Sequence, residues 1–193
     1  MVFAFSAPAA AERSILVFGD SLSAAYGISQ ARGWVALLAE RLKRERLDYI
    51  VVNASISGEI SSGGAARLAA ALDKHRPAVV VLQLGANDGL RGLPAAQLRQ
   101  NLNAMVQQSK KAGARVLVLG VKIPPNYGPD YSRQFENAFA AVAKQQQVRL
   151  VPFFIEDVVD NAEHFLPDRI HPAESAQPFI LERVWKSLRP LLK

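Results

Sequence analysis

Short, unbroken apolar runs recur along this chain and limit its fold more than any other feature. They are Ile15–Gly19, Tyr49–Asn53, Val79–Leu84 and Val116–Val121, with a shorter segment at Arg149–Val151. A strand apolar on both faces must be covered on both faces, the condition of a parallel sheet. Between the runs lie stretches with helical spacing: Gly33–Arg46, Ser61–His75, Pro94–Ala112, Tyr131–Gln146 and Glu174–Leu188. Pro94 suits a first helical turn and Gly113 a helix stop. Gly63 and Gly64 weaken the second helix near its start, where close backbone approach outweighs propensity. Strand and helix in alternation describe βαβ units, so the chain is expected to form an α/β fold, a three-layer α/β/α sandwich with right-handed crossovers.

With 193 residues, half of them apolar, the chain fits one core. Residues 12–193 are read as a single domain. Residues 1–11 are apolar and small and end in Ala7-Pro8-Ala9-Ala10-Ala11. They are read as a signal-peptide remnant or a disordered tail, the former placing the protein in the periplasm or outside the cell. No run of about 18 apolar residues occurs, so no stable membrane insertion is expected. The formal charge of +6 is dispersed, and no basic cluster interleaved with aromatics points to nucleic acid. The chain has no cysteine, which excludes disulfides, thiol catalysis and thiolate metal sites. No metal or cofactor is expected, and the protein is expected to work as a monomer.

In open α/β sheets ligands bind at the carboxyl ends of the strands. Ser21 stands there, directly after the first apolar run and Gly19-Asp20. On its own it suits an N-cap or turn as well as a nucleophile. A serine nucleophile needs a base and a group to orient that base. Asp168-Arg169-Ile170-His171-Pro172 offers both within one turn, although a surface Asp-His pair without function reads the same way. The remaining histidines fit poorly as a base: His75 sits at a helix end before Arg76-Pro77, and His164 has no aspartate three residues before it. Asp157, Asp160 and Glu163 are rival acids without that spacing to His171. The irregular stretches 122–130 and 152–172 follow strands and should overhang the same edge.

Four blocks in order carry a resemblance: Gly19-Asp20-Ser21-Leu22, Ser57-Gly58-Glu59, Gly85-Ala86-Asn87-Asp88 and Asp168-x-x-His171. Together they resemble the GDSL, or SGNH, hydrolases, from about Ile15 to the end of the chain. Asn53–Gly58, Asn87–Gly92, Pro124–Gly128 and Ala176–Phe179 are similar to the bacterial branch of acyl-thioesterases, arylesterases and lysophospholipases. The resemblance implies a flavodoxin-like strand order in a five-stranded parallel sheet. It implies a triad of Ser21, His171 and Asp168, and an oxyanion hole formed by the N–H groups of Ser21 and Gly58 and the amide of Asn87. Asp20 and Asp88 are read as loop braces. Three positions depart from the family pattern: Glu59 in place of aspartate, Ile60 in place of a hydroxyl residue, and Arg169 in place of a small glycine.

Leu90, Ile123, Pro124 and Tyr127 are candidate substrate contacts, being apolar and near the catalytic edge, with Arg91 and Lys122 flanking them. The expected partner is a small-molecule ester or lipid, and the expected activity is hydrolysis of short-to-medium acyl and aryl esters. Acyl-thioesters and lysophospholipids are further expected substrates. Two rivals stand beside it: a carbohydrate deacetylase, and an anion-binding module using Ser57–Gly64 at a helix N-terminus. The second lacks Gly-Lys-Ser/Thr and a spaced G-x-G-x-x-G.

Overall fold

The computed structural model describes residues 13–192, so the reading of residues 1–11 lies outside the described residues. All five expected strands form: β1 (Arg13–Gly19), β2 (Tyr49–Asn53), β3 (Val79–Gln83), β4 (Arg115–Leu119) and β5 (Arg149–Val151). They make one parallel sheet in the order β2-β1-β3-β4-β5. Ile15 through Phe18 and Val79 through Leu82 are fully buried, as two covered faces require.

Among the described residues there are six α-helices: α1 (Trp34–Arg44), α2 (Ser61–His75), α3 (Ala86–Leu90), α4 (Ala95–Lys111), α5 (Pro129–Gln146) and α6 (Gln177–Leu188). Helix α1 lies against α6, and α2 against α4, which also packs on α5, giving one helical layer on each side. Helix α5 starts two residues before the expected Tyr131, because Pro129 occupies its first turn. Residues 174–176 form a single 3₁₀ turn ahead of α6. Gly113 follows α4 with φ +84°, the left-handed conformation that stops a helix. A Cβ on Gly64 would lie 2.3 Å from Leu84 Cδ1 and 3.4 Å from Phe18, so α2 touches the sheet with its backbone there.

The chain turns one way from β1 to β2 and then returns to place β3 on the other side of β1. The strand order therefore reverses between β1 and β3, and the crevice above that point is where open α/β sheets bind ligands. Gly19 pairs with Gln83 across it, so the loops after β1 and β3 leave the sheet side by side.

Candidate active site

The loop after β1 is fixed by a buried polar cluster. A Cβ on Gly19 would meet Gln83 Oε1 at 2.7 Å and the Gln83 carbonyl at 2.8 Å, so only glycine fits. Gln83 Nε2 donates to Asp20 Oδ1 at 3.0 Å, and its Oε1 accepts from Ser23 Oγ at 2.7 Å. The same Asp20 Oδ1 accepts the Leu22 N–H at 3.1 Å, and the Asp20 carbonyl accepts the N–H groups of Ser23 and Ala24. Burial drives the Asp20 carboxyl up to about 7, against the Leu22 and Gln83 hydrogen bonds that lower it. Ser21 is the half-buried residue this turn presents at the crevice.

The second loop comes from the far end of the chain. Asp168 Oδ1 accepts the N–H groups of Ile170 and His171 at 2.9 and 3.0 Å, which closes the turn. Its Oδ2 lies 2.7 Å from His171 Nδ1. The His171 N–H, with the ring and Ile170 bonds, holds Asp168 at about 2, so it is ionised across the neutral range. His171 Nε2 lies 2.9 Å from Ser21 Oγ across 150 residues of chain. A carboxylate accepting from Nδ1 leaves Nε2 free to accept the hydroxyl proton. Tyr26 lies against the imidazole, ring centres 4.4 Å apart and tilted 40°. The first turn of α6 ties this loop down: Gln177 Nε2 donates to the Pro172 carbonyl at 3.1 Å, while its Oε1 accepts the Trp34 N–H at 3.0 Å.

The third and fourth loops meet beside these. Ile56 N–H donates to the Gly19 carbonyl at 2.9 Å, which draws the loop after β2 to the end of β1. Gly58 follows with φ +80° and open space where a Cβ would stand. Asn87, on α3, donates one amide N–H to the Glu59 carbonyl at 3.0 Å, and the second remains for a ligand. Arg91 donates to the Gly58 carbonyl at 3.1 Å. Asp88 accepts the N–H of Ser61 at 2.8 Å and its hydroxyl as well, capping α2 from across the site. That cap explains the tolerance of Ile60, which has no side-chain oxygen to cap with. Glu59 reaches forward to form a two-toothed ion pair with Arg67, whose guanidinium also sits 3.8 Å over Phe18.

These loops enclose a cleft of about 640 Å³. Ser21, Asn87, Leu90, Ile123, Pro124 and His171 stand on its wall. Tyr127 does not; its hydroxyl donates to the Leu90 carbonyl at 2.7 Å, so it supports the wall instead of forming it. Gly58 is not on the wall; its carbonyl accepts from Arg91, and the carbonyl of its neighbour Glu59 accepts from Asn87, which is. Sequence reasoning missed Phe153, Ile155 and the histidine contact of Tyr26, all placed by the fold of distant loops, whereas Arg169, already marked there as a departure from the family pattern, lines the cleft. Of the rival acids, Asp157 pairs with Arg183 at 3.2 Å, and Asp160 lines the cleft without bonding His171. His164 bonds Ser175 at 3.0 Å and packs on Phe179, a structural role.

Comparison with known proteins identifies the family. The GDSL-like lipase/acylhydrolase family matches residues 17–177. The esterase TesA of Pseudomonas aeruginosa is 54% identical over 183 residues, covering 95% of this chain and 91% of that one. Thioesterase 1/protease 1/lysophospholipase L1 of Escherichia coli K12 is 42% identical, covering 95% and 87%. A crystal structure of TesA superposes with a TM-score of 0.91 at 54% identity, covering 93% of this chain and all of that one. A structure of the psychrotrophic esterase EstA from Pseudoalteromonas sp., inhibited by monoethylphosphonate, has a TM-score of 0.89 at 41% identity, covering 93% and 98%. No helix among the described residues is long and apolar enough to cross a membrane. With a family match over most of its length and relatives this similar, the chain belongs to the GDSL-like lipase/acylhydrolase family.

Proposed function

We propose that the protein is a serine esterase that hydrolyses carboxylic esters of short-to-medium acyl groups and aryl alcohols through an acyl-enzyme. Acyl-thioesters and lysophospholipids belong to the same proposal, in keeping with what its relatives are named for. One observation carries it: the unbroken relay from Asp168 through His171 to Ser21, at 2.7 and 2.9 Å. Ser21 Oγ attacks the carbonyl carbon while His171 Nε2 takes its proton. The carbonyl π bond opens onto oxygen, whose negative charge is met by the N–H groups of Ser21 and Gly58 and the free amide N–H of Asn87. As the carbonyl re-forms, the bond to the leaving oxygen or sulfur breaks and that atom takes the proton from His171. Water then repeats the sequence on the acyl-enzyme, giving the acid and free Ser21. Asp168 holds the ring tautomer and offsets the imidazolium charge without taking the proton.

The apolar wall of Leu90, Ile123, Pro124, Phe153 and Ile155 supports an acyl chain in the cleft. A carbohydrate deacetylase would instead favour acetyl over every longer chain. We also propose residues 12–193 as one catalytic domain, and export past the inner membrane directed by the segment that ends in Ala-x-Ala. The decisive test is 4-nitrophenyl butyrate: a burst of nitrophenol equal to the enzyme, covalent labelling of Ser21 by a phosphonate, and loss of both in Ser21→Ala. Turnover that survives in Ser21→Ala would remove the proposal.

A further inference from the structure

The position between Asp168 and His171 is costly for any residue but glycine. Arg169 has φ +58°, a left-handed conformation that L-residues with a long side chain rarely adopt. The turn would close equally well with glycine, since its bonds run from the Arg169 N–H to Leu166 and from Ile170 and His171 to the Asp168 carboxylate. What arginine adds is a cationic side chain at a position that lines the cleft, two residues from His171. Lys122 supplies a second cation on the same wall, its ammonium 5.4 Å from the centre of the Phe153 ring. Among the described residues neither enters an ion pair, while Arg32, Arg41, Arg67, Arg133, Arg183 and Arg189 all do. The acid on the cleft wall is Asp160; Asp168, next to Arg169 in the chain, is taken up by His171 and two backbone N–H groups.

We propose that Arg169, assisted by Lys122, makes the cleft selective for esters whose leaving half carries an anionic group. Carboxylate, sulfonate and phosphate share the planar or multi-oxygen face that a guanidinium binds with two N–H groups. The leaving half is the relevant one because Arg169 adjoins His171, which hands its proton to the departing atom. Asp160 opposes the effect and limits its size. The inference rests on the esterase reading above.

The test compares 4-sulfophenyl butyrate with phenyl butyrate, and mono-4-nitrophenyl glutarate with 4-nitrophenyl valerate. The first pair places the anion on the leaving half and the second on the acyl half. For the first pair, the ratio of kcat/KM, anionic over neutral, falls about three- to fivefold in both Arg169→Gln and Arg169→Gly, as a partly exposed charge contact implies. Arg169→Lys retains most of it, Lys122→Gln lowers it less, and Asp160→Asn raises it. The wild-type ratio also declines with added salt, and this slope flattens in Arg169→Gln. A first-pair ratio that Arg169→Gln leaves unchanged overturns the proposal, as does a loss confined to the glutarate pair. If no ester is turned over, the esterase reading fails separately. Calorimetric binding of 4-sulfophenyl butyrate to Ser21→Ala, with and without Arg169→Gln, then decides this one: similar weakening supports it and equal affinity ends it.

Discussion

Asp20 sits next to the nucleophile with one carboxyl oxygen, Oδ2, buried and unpartnered, and burial lifts its titration from 3.8 to about 7. An acid that binds its proton more tightly when folded loses stability as pH rises between those values, because the native state keeps a proton the unfolded chain has released. An asparagine there does not titrate and keeps an oxygen for Leu22 N–H and Gln83 Nε2, at the expense of an amide N–H with no acceptor. Asp20→Asn is therefore less stable than wild type near pH 4.5, and the gap narrows or reverses by pH 8. Urea unfolding at both pH values measures it, and a gap that stays constant contradicts the assignment. Asp20 braces the turn through the Leu22 N–H and Gln83, a loop-bracing role the sequence analysis also gave it. Its partner Gln83 was not legible: a glutamine ending an apolar run carries no local mark of a buried network 63 residues away.

At the scale of single elements, helix α2 gives the sharpest prediction. Gly64 lets its first turn rest against Leu84 and Phe18, and a Cβ 2.3 Å from Leu84 Cδ1 has no room. Gly64→Val forces the helix off the sheet and costs about 1–3 kcal/mol of overpacking, a fall of roughly 2–12 °C in melting temperature for a chain of this size. Thermal unfolding checks it; an unchanged midpoint would mean that the helix shifts freely. The close approach was readable from two adjacent glycines at a helix start. The strands were readable too, since Val79–Leu82 is apolar at every position and has no amphipathic alternative. Helix α3 was not: Ala86-Asn87-Asp88-Gly89-Leu90 holds poor helix formers, and Gly85 enters it at φ +127°. Tertiary contacts hold it, namely Asp88 on Ser61 and the tight fit of Gly89 under Ile123 and Phe135.

Across the whole molecule, the cleft is assembled from loops after four of the five strands, so its length depends on residues far apart in sequence. Ile155 and Phe153 follow β5, Ile123 and Pro124 follow β4, and Leu90 follows β3. Ile155→Trp shortens the apolar end. Each methylene it excludes removes up to ~0.8 kcal/mol, about fourfold in kcat/KM. The ratio of decanoate to butyrate ester hydrolysis should fall, by up to that factor for each methylene excluded; an unaltered ratio would place the acyl chain elsewhere. Three of the four motif blocks lie on loops that line the cleft, but the loop after β4 carries no block, and the depth of the hollow depends on packing that no local pattern encodes. Chain order has one more consequence. The imidazole lies beyond β5, and its loop is held at Pro172 by Gln177 at the start of α6, so the sheet and its serine precede the proton acceptor along the chain. A nascent or clipped chain ending ahead of Asp168 would carry a poised alcohol with nothing to switch it on, and hydrolytic competence would emerge only once the segment through His171 is made.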